Sequence, residues 1–233
     1  MANRSVNEET TDRESREQAG GAGRILEEYL SALKAIRATG AGVPETSYYP
    51  ALSNLFNAVG QALNPKIRCV MSLKNLGAGL PDGRLFTADQ FQRQTAVALK
   101  AGQLPSRGAI EAKGTKPEVK AIAATQQVKD YLSTYGIVLV TNLREFLIVE
   151  RGANGVPMER EAFALADDER DFWHHKAAHP RATAEVHGEQ FIEFIKRACL
   201  HAAPLSIRRQ RAARRFLAVA ILKIGQGAPK RGA

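Results

Sequence analysis

Cysteine is almost missing from this chain: among 233 residues only Cys69 and Cys199 occur, far apart and in no C-x-x-C pattern. A zinc ribbon built between them is excluded, a disulfide framework is not expected, and the expected compartment is a reducing cytoplasm. Long apolar runs are missing too. The longest, Phe216–Leu222, has seven residues, where a spanning helix needs about 20, so no membrane partner is expected. The N-terminus from Met1 to Gln18 is polar, mixed in charge and without an apolar stretch, which excludes a secretory signal there. Residues 206–233 hold no acidic residue. Several functional signatures are also absent: helix-turn-helix, zinc finger and basic leucine zipper, the phosphate loop G-x-x-x-x-G-K-[ST], and Asn/Asp-Pro-Pro-Tyr with a cofactor-binding glycine motif. Gly77-Ala-Gly79 is therefore read as a flexible link, and this chain is not expected to methylate DNA by itself.

What is present describes a globular protein. Apolar residues make up 44% and charged residues 24%, enough to build a core, and the length suits one domain with appendages. The net charge of +9 is unevenly placed. Residues 206–233 hold eight Lys and Arg and no acid, so the first 205 residues carry 9 − 8 = +1. Within those, 61–120 has ten bases and four acids (+6), and 159–172 has six acids and two bases (−4).

Residues 1–21 read as a disordered leader, 22–205 as the folded domain, and 206–233 as a basic tail. From Gly23 to Thr39, Ile25, Leu26, Tyr29, Leu30, Leu33 and Ile36 recur at helical spacing. A second helix is predicted from Pro50, burying Leu52, Leu55, Phe56, Val59 and Leu63, and stopping at Asn64-Pro65. Short β-like runs follow at Lys66–Leu73, Leu80–Phe86 and Gly108–Gly114. A helix is expected over Pro117–Ser133, then a buried strand at Gly136–Thr141 and its partner at Glu145–Glu150. Residues 87–106 read as a loop or helical insertion. After Gly152 the periodicity weakens through the acidic segment Glu159–Asp171, and a last helix contains Phe191, Phe194, Ile195 and Leu200. This order gives an α/β fold, a mixed sheet with helices on its faces.

One constellation carries chemistry. Pro81-Asp82 closes a strand, and the next strand carries Glu111-Ala112-Lys113. Residues two apart on a strand point to the same face, so Glu111 and Lys113 sit together and an Asp from a neighbouring strand can join them. Two nearby carboxylates repel unless a cation joins them, and Mg²⁺ takes oxygen ligands of this kind, to which the Ala112 carbonyl could add one. Lys113 could orient or help deprotonate an attacking water and offset charge on a phosphate. The blander reading of the same residues is a Glu–Lys pair on an ordinary exposed strand.

Pro81-Asp82 … Glu111-Ala-Lys113 resembles the active-site motif of PD-(D/E)xK nucleases, and Gln127-Val-Lys-Asp-Tyr131 resembles the Q-x-x-x-Y element of several of their branches. The run from Glu45-Thr-Ser-Tyr-Tyr-Pro50 to Thr141-Asn142-Leu-Arg-Glu-Phe146 is similar to the N-terminal nuclease domain of single-chain restriction–modification enzymes. The resemblance covers roughly residues 23–200. It implies a restriction-endonuclease-like mixed sheet (αβββαβ core) and a Mg²⁺-dependent endonuclease (Mn²⁺ an alternative) acting on double-stranded DNA. It also implies a partner module of translocase, methyltransferase or specificity type. Asp82 and Glu111 would be metal ligands, Glu45 a supplementary acid, and Lys113 the catalytic lysine. Gln127 and Tyr131 would be auxiliary, beside the attacking water or the scissile phosphate. A competing reading keeps the fold but makes it a non-catalytic DNA-binding or assembly module.

Weaker signals stand beside these. Lys116, Lys120 and Lys129 flank the motif and suit DNA phosphates, or form a solvated helix face. His175 and His179 have zinc-binding spacing, but Pro180 follows at once and Trp173 suggests packing. The tail is either an amphipathic basic helix for DNA, with Phe216, Leu217, Ile221 and Leu222 beneath, or the product of a frame slip near Leu205 that truncates a longer nuclease–methyltransferase protein.

Overall fold

Ile137-Val-Leu-Val-Thr141 puts apolar side chains on both faces of one strand, and such a strand needs cover on both sides. The computed structural model provides it. It describes residues 2–42, 45–72, 80–91 and 104–201, with only the helical backbone given for residues 2–19. Six strands form one sheet in sequential order: β1 (Ile67–Met71), β2 (Gly83–Thr87), β3 (Ala109–Ala112), β4 (Ile137–Thr141), β5 (Glu145–Arg151) and β6 (Pro157–Ala164). All neighbours are antiparallel except β3 and β4, which run parallel. A parallel pair needs a crossover, and here α3 (Val119–Ala123) and α4 (Gln126–Tyr135) supply it.

Each face of the sheet has its own core. Val138 and Val140 of β4 join Leu147 and Val149 of β5 under α3 and α4, packed on Val128, Leu132 and Tyr135. Ile137, Leu139, Phe146 and Ile148 face the other way, onto α1 (Ala2–Ala38), α2 (Tyr49–Gln61) and α6 (Pro180–Leu200). The period-two alternation along β4 and β5 thus sends one residue to each core in turn. Phe146, Phe163, Phe191 and Phe194 form an aromatic cluster there, with ring centroids 5.2 Å apart for Phe146 and Phe191. Between β6 and α6, α5 (Glu169–Asp171) continues into a π turn at Phe172–Lys176. The six-stranded mixed sheet flanked by helices is consistent with the restriction-endonuclease-like fold.

The structure differs from the sequence reading in three elements. α1 is helical in its backbone from Ala2, where a disordered leader is expected over 1–21. Apolar periodicity marks where a helix packs, and the polar residues before Gly20 include Glu, Arg and Gln, which favour helix without any apolar face. The predicted Pro117–Ser133 helix is two, broken at Ala124-Thr125, where Thr125 caps α4 by accepting from the Val128 N–H. The acidic segment Glu159–Asp171 begins in strand β6, which shows weak patterning because it lies at the sheet edge with most of its side chains in solvent. Its charges are paired: Arg160 with Glu150, and Arg197 with Glu161. Charged side chains of this kind discourage further strand pairing. Gly77-Ala-Gly79, most of the 87–106 segment and the tail 206–233 lie outside the described residues. Among the described residues no helix is long and apolar enough to cross a membrane. Cys69 and Cys199 are buried free thiols, pushed up in pKa by burial, Cys199 to about 12.

Candidate active site

β3 decides the geometry. Ala109 belongs to the core under α4, whereas Ile110 and Ala112 point to the opposite core. Glu111, two residues after Ala109, therefore projects toward α4, and its carboxylate is 1% exposed. Lys113 leaves the strand on the same side, its backbone N–H still donating to the Thr141 carbonyl of β4 at 2.8 Å. Its ammonium lies 2.9 Å from Glu111 Oε1 and 3.4 Å from Glu45 Oε2. Asp82 stands one residue before β2, which pairs with β3 through Gly83 and Ile110. Its Oδ2 accepts the Ala112 backbone N–H at 2.8 Å, which ties the two halves of the motif together across the sheet. Its Oδ1 accepts the Tyr49 hydroxyl at 2.5 Å.

α4 brings the auxiliary pair. Val128, Leu132 and Tyr135 hold one face of that helix in the core, and Gln127 and Tyr131, one turn apart, turn toward Glu111. Gln127 Nε2 donates to the Tyr131 hydroxyl at 2.8 Å and lies 3.4 Å from Glu111 Oε2. The loop after β3 is pinned from below by buried groups. Arg144, 1% exposed, donates to the Thr115 carbonyl at 3.2 Å and pairs with Glu118 and Glu145. Asn142 donates to the Pro117 carbonyl at 2.9 Å.

The charges in the site act on one another at close range. Burial, then the neighbouring Asp82 carboxylate, push the Glu111 carboxyl up to about 7, against the opposing pull of Lys113. Burial works against the Lys113 charge, but contact with Glu111 and the charges of Asp82 and Glu45 outweigh it, so its ammonium is held above its ordinary value. Burial and then the bond to Asp82 raise Tyr49, which stays a hydroxyl donor. These residues fit a hard divalent cation by donor type. Two carboxylates, one of them reluctant to ionise beside the other, form the minimal oxygen set for an ion that keeps several waters. Among the described residues no three His, Cys, Asp or Glu side chains are grouped to hold a metal by themselves. Glu45 is turned to Lys113, and Ala112 contributes the N–H that orients Asp82.

The flanking lysines separate. Lys116 lines a cavity of about 440 Å³ that opens beside Lys113 and Glu45. Lys120 on α3 pairs with Glu159 of β6 at 3.2 Å, and Lys129 is exposed on α4. His175 of the π turn contacts Asp171 at the end of α5 at 2.8 Å, and His179 immediately precedes α6. Tyr49 was missed as a site residue. Its only sequence signal is its place in the Tyr-Tyr-Pro run that opens the second helix, and its partner Asp82 lies 33 residues away.

No protein-family model matches this chain, and no curated protein matches it. Among solved structures it is similar to a chain in a cryo-EM structure of a DrdV–DNA complex, at 16% identity and a TM-score of 0.48. The match covers 83% of this chain, which spans 15% of the length of that one.

Proposed function

We propose that this chain is a metal-dependent DNA endonuclease domain of a restriction–modification system, hydrolysing phosphodiester bonds. The observation that carries the reading is the convergence of Asp82, Glu111 and Lys113 at the ends of β2 and β3, with Ala112 bonded to Asp82 and Lys113 to Glu111. Asp82 and Glu111 would hold Mg²⁺ or Mn²⁺, which when bound supplies a Lewis acid for a phosphate oxygen and makes hydroxide available near neutral pH. Tyr49 and the Ala112 N–H both donate to Asp82 and hold its carboxylate aimed into the site. Lys113, held as an ammonium, is suited to offsetting the charge that accumulates on the phosphate oxygens. Gln127 and Tyr131 form one polar pair beside Glu111 that can orient the attacking water. Lys116 and Lys129 suit phosphate contacts, and Lys120 suits them once released from its exposed pair with Glu159. Sequence choice then belongs to a translocase, methyltransferase or specificity module acting with this domain.

The test is cleavage of supercoiled and linear DNA with Mg²⁺ or Mn²⁺, alone and with a reconstituted partner module, beside Asp82→Ala and Lys113→Ala. Each substitution is expected to lower the cutting rate by about 10²–10³-fold. Equal cutting by wild type and both variants, or none by any of them under all these conditions, rejects catalysis. Salt-sensitive DNA binding unaffected by either substitution would then assign the chain to a non-catalytic binding module.

A further inference from the structure

The cavity of about 440 Å³ beside the carboxylates is built for more than a metal ion. It shares Glu45 and Lys113 with the site, takes Lys116 from the loop after β3, and is walled by Arg37, Tyr48 and Trp173. Arg37, at the end of α1, places its guanidinium 4.2 Å from the centroid of the Trp173 ring. The Tyr48 ring centroid is 6.3 Å from that of Trp173. The indole is held in place from its edge: its N–H donates to Thr115 Oγ1 at 3.0 Å, and that hydroxyl donates to Glu169 at 2.7 Å. Both acids of the cavity are thus engaged, Glu45 by Lys113 and Glu169 by Thr115.

A stacked guanidinium and indole, with a phenol alongside and two lysines in the same wall, is the chemistry that receives an unstacked nucleobase and its phosphates. The volume also falls in the range of roughly 300–1,000 Å³ used by small-molecule sites. Resting on the nuclease reading above, we propose that this cavity is a subsite for one unstacked base of the DNA strand next to the scissile phosphate. The base lies against the Arg37–Trp173 stack with Tyr48 beside it, and Lys113 and Lys116 face the adjoining phosphates.

Trp173 is the only tryptophan in the chain, so its fluorescence reports on this cavity alone. The full chain, in EDTA, is titrated with a short single-stranded oligothymidylate and with an equally long strand of abasic sites. The expected result is saturable quenching of Trp173 by the oligothymidylate, about tenfold weaker binding of the abasic strand, and a similar loss in Arg37→Ala. Equal affinity for both strands, or saturable binding that leaves Trp173 fluorescence unchanged, overturns the subsite. Metal-dependent cutting of duplex DNA by the same wild-type preparation separates the two ideas. Cutting without base-dependent quenching rejects the subsite and leaves the nuclease standing; base-dependent quenching without cutting, alone or with the partner module, leaves a base-binding cavity and rejects the nuclease reading.

Discussion

Glu111 is a buried carboxyl whose ionisation the fold opposes. It is covered by β3, β4 and α4 and faces Asp82, so its carboxyl is pushed from an ordinary 4.5 up to about 7. The unfolded chain loses this proton near 4.5 and the folded chain near 7. Between those values the folded state holds the extra proton, so metal-free stability falls as pH rises from about 4.5 to 7 and stays low above. Glu111→Gln is expected to remove that dependence and to be more stable than wild type at pH 8 without metal, by on the order of 1–3 kcal/mol. Mg²⁺ should raise the unfolding temperature of wild type at pH 8 and leave the variant nearly unmoved. Parallel pH profiles of unfolding for the two proteins would show that the repulsion is absent. Glu111 and Lys113 were legible in the sequence because a strand's period of two is local. Tyr49 was not, because its role comes only from meeting Asp82.

At the scale of elements, helices with clear periodicity were read correctly and elements defined by their neighbours were not. α2 and β4 carry apolar patterns that local geometry dictates. β6 lies at an edge, where water covers most of its side chains and no pattern is imposed. The pairing of α1 with α6 was likewise invisible, since it depends on two distant glycines. A Cβ at Gly188 would lie 2.8 Å from the Gly23 Cα, so the two backbones meet with no side chain between them. Gly188→Ala is therefore expected to cost about 1–3 kcal/mol by forcing these helices apart, although alanine is the better helix former by about 1 kcal/mol. Chemical denaturation gives the sign: a stabilised Gly188→Ala protein would mean that α1 and α6 are not in close contact there.

For the whole molecule, charge is the property most easily misread. The stretch 61–120 carries +6 and suggests a DNA surface, but Arg84 within it is fully buried and donates to the Tyr135 hydroxyl at 3.3 Å. Arg68 lies over the Phe91 ring at 4.7 Å. Eight of the nine net charges belong to residues 206–233. The core residues named above all precede Ala202, within one compact unit. A chain ending at Ala202 should thus keep the unfolding temperature of the full chain. Its DNA affinity should depend less steeply on salt, the slope of log K against log salt falling by roughly 0.9 for each phosphate the tail engages. An unchanged slope would remove the tail from DNA binding.

By itself the sequence determined the α/β class, the two-helix entry into the sheet, and the three residues Asp82, Glu111 and Lys113 as a unit. The class, the helices and the Glu111–Lys113 pair follow from short-range rules, helical spacing and strand alternation, whereas Asp82 joins them through the resemblance of the whole motif. Only the tertiary structure decided which charges are buried, how Tyr49 and the Ala112 N–H aim Asp82, and that Arg37, Tyr48 and Trp173 wall a cavity beside Lys113. Those relations join residues from separate elements, and their free energies depend on burial and approach distances that no local pattern encodes.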